Sequence, residues 1–139
     1  MNRKIIFRGL TPQGEWVYGD LLHMGDITLI GSLNKDTFEY DKTIVISESV
    51  GQYIGLKDNN GVGIYEGDIV RYQEIEGYQL KDEGAIIFSN CRWIFKGGSF
   101  KIYLTENHNA KINDEWATIE CKFTFEVIGN IHETNIEEL

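Results

Sequence analysis

The stretch from Val50 to Tyr72, VGQYIGLKDNNGVGIYEGDIVRY, constrains the fold of this chain more than any other. Two apolar runs of strand length flank an Asp-Asn-Asn-Gly turn, and a Gly-Asp step then leads into a third run. Asn and Gly tolerate the left-handed backbone conformation that tight turns require. We therefore predict a positive φ at Gly61 or Gly67. The stretch contains no nucleophile, metal cluster or phosphate loop, so it predicts shape rather than chemistry.

The composition favours a mainly β protein. Fifteen glycines and one proline among 139 residues indicate many tight turns between short strands. A chain of this length buries enough surface to fold without a disulfide or a metal. Short apolar runs recur along the chain with turn residues between them, which is typical of a sandwich or a small barrel. The predicted strands cover residues 4–8, 15–22, 27–30, 43–46, 52–56, 63–65, 68–72, 84–88, 93–96, 100–104 and 123–131.

Three segments depart from this strand pattern. The polar stretches 31–42 and 73–83 are predicted to be mobile loops. Residues 113–121, NDEWATIEC, are the only predicted helix, because Asn113 can cap it and Trp116 lies on one face with Ile119. The alternation of this segment also fits a strand.

The charge and the cysteines limit the environment and the partners. A net charge of −9 repels phosphate backbones and makes nucleic-acid binding unlikely as a first reading, although a local basic patch stays open. Cys91 and Cys121 lack the close spacing of a redox motif, so we expect reduced thiols. The N-terminus lacks the apolar core of a signal peptide, and no run reaches about 18 apolar residues. We expect a cytoplasmic protein without a membrane segment.

Candidate catalytic and metal sites are weak. Glu66 and Asp68 straddle Gly67, but beside a tight turn they are expected to bond backbone N–H groups and stay solvated. The Asp-Asn-Asn-Gly loop fails the calcium-binding pattern after its first two positions. A zinc site would need tertiary convergence of Cys91, Cys121 and two of the histidines His23, His108 and His132. We expect no catalytic residue, no metal and no cofactor.

Aromatic and basic residues lie close together in sequence between positions 71 and 103. They form the candidate binding surface Arg71, Tyr72, Arg92, Trp93, Lys101 and Tyr103, with Lys96 nearby. Such residues can stack on single-stranded nucleic acid or line a peptide groove. The same aromatic side chains can instead fill the core of a small barrel, which we consider the more common case.

Three blocks, in this order along the chain, resemble the YopX family of phage and prophage proteins. They are IIFRGL with EWVYGDLL, then VGQYIGLKD with NNG and IYEGDIV, and finally FEVIGNIHE. The resemblance implies a C-terminal barrel similar to Src homology 3 folds, and it implies no catalytic residues. We divide the chain into an N-terminal β subdomain, residues 1–48, and this barrel, residues 49–139.

Two functions follow as hypotheses. The first is a non-enzymatic accessory protein of the bacterial host cytoplasm that binds a host or phage protein or assembles with itself, and we expect a homo-oligomer because strand edges must be covered. The alternative is a nucleic-acid-binding module that uses the aromatic and basic residues of 71–103.

Overall fold

The computed structural model of the chain describes residues 4–74, 81–99, 101–104, 109–112, 115–118 and 123–133. These residues confirm a mainly β protein with two antiparallel sheets. The chain divides into two compact units, residues 1–55 and 56–139. The strand Gly51–Lys57 runs through this division.

The first sheet has six strands. They are β1 (Phe7–Leu10), β2 (Trp16–Met24), β3 (Ile27–Leu33), β4 (Tyr40–Ile44), β5 (Gly51–Lys57) and β6 (Gly63–Tyr65). Their order in the sheet is β4-β3-β2-β1-β5-β6, so β4 is an edge strand. A single 3₁₀ turn, Ser47–Ser49, precedes β5.

The residues on the inner side of the first sheet are closely packed. Ile30 and Val45 are buried there. A Cβ at Gly9 would approach the Val45 side chain to 2.8 Å, so only glycine fits at that position. A Cβ at Gly19 would collide with the carbonyl oxygen of Gly31, so that position also requires glycine.

Neutral hydroxyl groups complete the polar contacts of this inner side. Ser49 Oγ accepts a hydrogen bond from the Leu10 N–H at 2.8 Å and donates one to the Ile46 carbonyl at 2.6 Å. Thr11 Oγ1 accepts from the Glu15 N–H at 3.0 Å in the turn between β1 and β2.

The second sheet has seven strands in the order β12-β11-β10-β9-β8-β7-β13. Among the described residues the pairing leaves β12 and β13 as edges, and no closed barrel is formed. The strands are β7 (Asp68–Glu74), β8 (Lys81–Ser89), β9 (Arg92–Gly97), β10 (Lys101–Tyr103), β11 (Asn109–Ile112), β12 (Glu115–Thr118) and β13 (Phe123–Asn130).

Alternate residues of β7 form the centre of the second core. Val70 and Tyr72 are fully buried, and Phe95 from β9 is buried with them. The Tyr72 ring centroid lies 6.0 Å from that of Phe95 and 5.8 Å from that of Phe125 on β13. Ring centroids at these distances pack favourably beyond their buried area.

Carboxylates organise the turns of the second unit. Asp58 accepts hydrogen bonds from the N–H groups of Asn60, Val62 and Val127, and so joins the β5–β6 turn to β13. Burial alone would raise the pKa of Asp58, but the three N–H donors together hold it below its usual range. Asp82 likewise accepts from the N–H groups of Gly98 and Ser99.

The predicted turn glycines are confirmed. Gly61 has φ of 81° and Gly67 has φ of 91°. The Gly67 backbone also donates to the Ile86 carbonyl and accepts from the Ile131 N–H. Valine at either position would therefore have to adopt a backbone conformation that β-branched residues resist.

The helix predicted for residues 113–121 is wrong. Glu115–Thr118 form β12, and Ala110 pairs with Ala117 across β11 and β12. The alternation of apolar and polar residues therefore indicates the observed structure of this segment. Its hydrogen-bond partner is the strand β11, which the residues of the segment alone do not reveal. Residues 113, 114 and 119–121 lie outside the described residues.

The predicted mobile loop at 31–42 is also wrong over half of its length. β3 continues to Leu33 and β4 begins at Tyr40, so the connection is the tight turn 34–39. The predicted loop at 73–83 is shorter for the same reason, because β7 continues to Glu74 and β8 begins at Lys81. Residues 75–80 lie outside the described part of the chain.

Candidate interaction surfaces

The outer side of β2, β3 and β4 is an exposed apolar surface. Residues that face each other in the register lie on the same side of a sheet, and the side chains alternate along each strand. Leu22 pairs with Leu29, and Leu29 pairs with Ile44. This register defines the apolar face as Leu22, Met24, Ile27, Leu29, Leu33, Tyr40 and Ile44.

Most of the apolar face lies open to solvent. Met24 is 60% exposed, Ile44 is 55% exposed and Leu33 is 53% exposed. Leu29, at the centre of the face, is buried by its neighbours. A contiguous apolar patch of this kind typically marks a binding surface on a protein.

Tyr40 lies at the edge of the apolar face and forms a polar contact there. Its hydroxyl donates to Asp20 Oδ2 at 2.7 Å, and its ring lies over Gly31, where a Cβ would come within 2.6 Å of Tyr40 Cε1. The hydrogen bond to Asp20 raises the pKa of Tyr40, and burial and the Asp20 charge raise it further. Asp20 and Lys42 are the two charged residues on this side of the three strands, so the face carries no net charge.

The turn between β3 and β4 presents an exposed phenylalanine. Phe38 is 82% exposed and has φ of 58°, a conformation that costs a non-glycine residue about 1 kcal/mol or more. Its N–H donates to the Asn34 carbonyl at 2.8 Å, and the Asn34 N–H donates to Glu39. Asn34 Oδ1 also accepts from the Asp36 N–H. An ordered turn therefore holds a large apolar side chain in water, which suits a residue that anchors a partner.

The outer side of the second sheet is basic. Four of the six predicted site residues lie there, namely Arg71, Arg92, Lys101 and Tyr103. The register adds two more basic residues, because Lys96 pairs with Lys101 and Lys81 pairs with Gln73, a neighbour of Arg71 on the same side. We define the basic face as Arg71, Lys81, Arg92, Lys96, Lys101 and Tyr103.

The basic residues of this face differ in their partners. Arg71 forms ion pairs with Glu83 at 3.3 Å and with Glu126 at 3.6 Å, so its charge is largely balanced. The Arg92 guanidinium lies over the Tyr103 ring, 5.0 Å from its centroid. Lys96 and Lys101 are exposed and have no ion pair with an acidic residue of the described part of the chain.

The remaining two predicted site residues lie on the other side of the sheet. Tyr72 is fully buried and donates to Glu74 Oε1 at 3.0 Å, so it belongs to the core and not to a binding surface. Trp93 is half-buried and packs edge-on against Phe88, with ring centroids 4.8 Å apart. The sequence cluster of aromatic and basic residues is therefore divided between core and surface.

The structure describes three of the five candidate metal ligands, namely His23, Cys91 and His132. Among the residues that it describes, no group of three or more His, Cys, Asp or Glu side chains is arranged to hold a metal ion. Cys91 is exposed in the turn between β8 and β9, and His108 and Cys121 lie outside the described residues.

The Glu66 and Asp68 pair has a structural role. Asp68 accepts from the Tyr65 N–H at 2.8 Å, as predicted, but it is buried and not solvated. Burial raises the pKa of Glu66 above its usual range.

Sequence reasoning missed the apolar face and underrated Lys96. The signal for the apolar face was present, since Ile27, Leu29 and Leu33 share one parity of β3 and Ile30 has the other. A strand with apolar residues on both sides needs both sides covered. Lys96 could be assigned only through its pairing with Lys101, which the sequence does not reveal.

Comparison with known proteins gives one match. A family model described as YopX protein matches residues 7–136. Neither the curated proteins nor the solved structures contain a match to the chain. Within the described residues, no helix has the length and apolar character needed to cross a membrane.

Proposed function

Since the chain belongs to the YopX family, we propose that it is a non-enzymatic accessory protein of a phage or prophage. It acts in the cytoplasm of the bacterial host by binding protein, and its first partner is a second copy of itself. The observation that carries this proposal is the apolar face of the first sheet, from Leu22 to Ile44.

Burial of the apolar face is the driving force for association. Transfer of apolar surface out of water stabilises a complex by about 25 cal/mol for each Å². The large side chains Met24, Leu33 and Ile44 are each more than half exposed. Phe38 extends from the neighbouring turn and adds a further large apolar group to the partner contact.

The charge of the face favours a second copy as the occupant. Two copies of a chain with a net charge of −9 repel each other across most of their surfaces. On the apolar face, Asp20 and Lys42 cancel, so the face itself adds no repulsion between two copies. Most soluble homo-oligomers are two-fold dimers in which the same patch of each copy meets the other. The adjoining edge strand β4 would be covered by the same contact.

Light scattering after size exclusion tests this proposal. We expect the 16.0 kDa chain to elute at twice its mass or more at high micromolar concentration. Ile44→Asp places a charge at an exposed position of the face and should return the monomer mass. The matched control is Leu56→Asp, which introduces the same charge at a residue that is 44% exposed and outside the face.

Two results would overturn the proposal. A monomer mass for the wild-type chain at high micromolar concentration would contradict the second copy as partner. An equal loss of association in the Ile44 and Leu56 variants would show that added negative charge, and not the apolar face, controls assembly. Circular dichroism of each variant establishes that the fold is retained.

The second unit is further proposed to be a small barrel similar to Src homology 3 folds. Its support is the position of β13, which pairs with β7, the first strand of the β7-to-β10 meander. This pairing brings the end of the chain beside the beginning of the meander, as closure of a short sheet requires.

A further inference from the structure

We infer that the basic face of the second sheet binds the backbone of single-stranded nucleic acid, a site separate from the protein-binding face proposed above. The face lies on the described strands β7 to β10. The inference rests on two residue pairs of this face, Lys96 with Lys101 and Arg92 with Tyr103.

The charge distribution carries the first step. The outer side of strands β7 to β10 and β13 has five basic residues and two acidic ones, whereas the whole chain has 13 basic and 22 acidic residues. Both acidic residues, Glu83 and Glu126, are paired with Arg71. The remaining four basic residues therefore form a positive area on an acidic protein, and such an area attracts a polyanion locally.

The register carries the second step. Lys96 on β9 lies directly opposite Lys101 on β10. Like charges directly opposite on neighbouring strands destabilise a sheet. A row of phosphates above these strands would change that repulsion into attraction, because each lysine would then neutralise one phosphate.

The aromatic pair favours nucleic acid over an acidic peptide. The Arg92 guanidinium lies over the half-buried Tyr103 ring, 5.0 Å from its centroid. Unpaired bases stack on aromatic rings and on guanidinium planes, and proteins that bind single strands combine such stacking with a basic surface. An acidic peptide would use the basic residues but has no base to stack on the Tyr103 ring.

Fluorescence anisotropy with a labelled oligothymidylate tests the inference. If four basic residues each contact a phosphate, the affinity should fall about fiftyfold between 50 and 200 mM salt, since a single strand loses about 0.7 in log–log slope per contact. The double variant Lys96→Ala, Lys101→Ala should lower that slope by about 1.4. Tyr103→Leu should weaken binding about fivefold or more without a change in slope.

The matched control removes the same charge elsewhere. Lys35 and Lys57 are exposed and lie outside the basic face, so Lys35→Ala, Lys57→Ala should leave both affinity and slope near the wild-type values. No binding at 20 mM salt, or an equal loss in the two double variants, would overturn the inference. Equal affinity for polyglutamate, with no effect of Tyr103→Leu, would overturn it in favour of an acidic protein partner. The melting temperature of each variant reports whether it is folded.

Discussion

The two units of this chain use different chemistry to hold their backbone turns. In the first unit the side chains that accept from turn N–H groups are neutral, such as the hydroxyls of Ser49 and Thr11 and the amide of Asn34. In the second unit the Asn130 amide also accepts, but Asp58 and Asp82 accept as carboxylates. Hydrogen bonds to charged acceptors are shorter and stronger than neutral ones, but they depend on pH. The contacts of the first unit should therefore persist in acid, whereas those of Asp58, whose pKa is lowered, should weaken as the pH falls.

The outer sides of the two sheets differ as well. On the first sheet the exposed residues are apolar and the two charges, Asp20 and Lys42, cancel. On the second sheet the exposed residues are mainly basic. Both sheets bury an alternating apolar inner side, so their cores give no indication of this difference. The residues whose side chains lie on the outer side of each sheet decide what each unit can bind, and the fold alone does not.

The largest expected effect is at Asp58. Asp58→Ala leaves the N–H groups of Asn60, Val62 and Val127 without their acceptor and should destabilise the protein by about 3 kcal/mol. Ser49→Ala, the matched change in the first unit, should cost about 1–2 kcal/mol because its bonds are neutral. Urea unfolding at pH 7 measures both values.

The pH dependence gives the control for the Asp58 experiment. The pKa of Asp58 is lowered in the folded protein, so its contribution is present above the unfolded-state pKa and is lost as the pH falls through the folded-state pKa. The difference in unfolding free energy between wild type and Asp58→Ala should become smaller in acid, whereas the difference between wild type and Ser49→Ala should not. If the loss of unfolding free energy caused by Asp58→Ala stays constant from pH 7 to strongly acid solution, the comparison of the two units is contradicted.

A smaller effect is expected at the two turn glycines of the second unit. Gly61→Val and Gly67→Val should each destabilise by about 1–2 kcal/mol or more, because valine resists a positive φ. Around Gly61 there is nothing within 4 Å of an added Cβ, so backbone strain alone is tested there. The control is Gly129→Val, which also meets open space but has no positive φ. Unchanged melting temperatures for both turn variants would refute the turn conformations.

The sequence predicted the features that depend on neighbouring residues. The turn at Gly61 and most strands follow from local patterns of Gly, Asn and apolar alternation. Features that depend on a distant strand were missed. The segment around Trp116 has helical caps as well as alternation, and its pairing with β11 decides for the strand.

The binding surfaces show the same limit. Tyr72 and Tyr103 are both aromatic residues in strands next to basic residues, and the sequence gives no reason to separate them. Tyr72 shares the parity of Val70 and lies in the core, whereas Tyr103 lies beside Arg92 on the outer side. Only the register of the seven strands assigns each residue to a side, and a slip of one residue would reverse the assignment.

The smallest expected effect is the ionisation of Tyr40, which reports directly on the apolar face. The Asp20 hydrogen bond, burial and the Asp20 charge raise its pKa, so Tyr40 should ionise at higher pH than an ordinary tyrosine. Asp20→Ala removes the hydrogen bond and the charge, and should lower the pKa more than Asp20→Asn, which can keep an acceptor. Because the folded-state pKa is raised, the stabilisation is present below the unfolded-state pKa and is lost as the pH rises through the folded value.

NMR titration of the Tyr40 ring at two protein concentrations measures the Tyr40 pKa. If a second copy covers the face, desolvation should raise the pKa further in the concentrated sample. An ordinary pKa that does not change with concentration or with Asp20→Ala would count against both the hydrogen bond and the covered face.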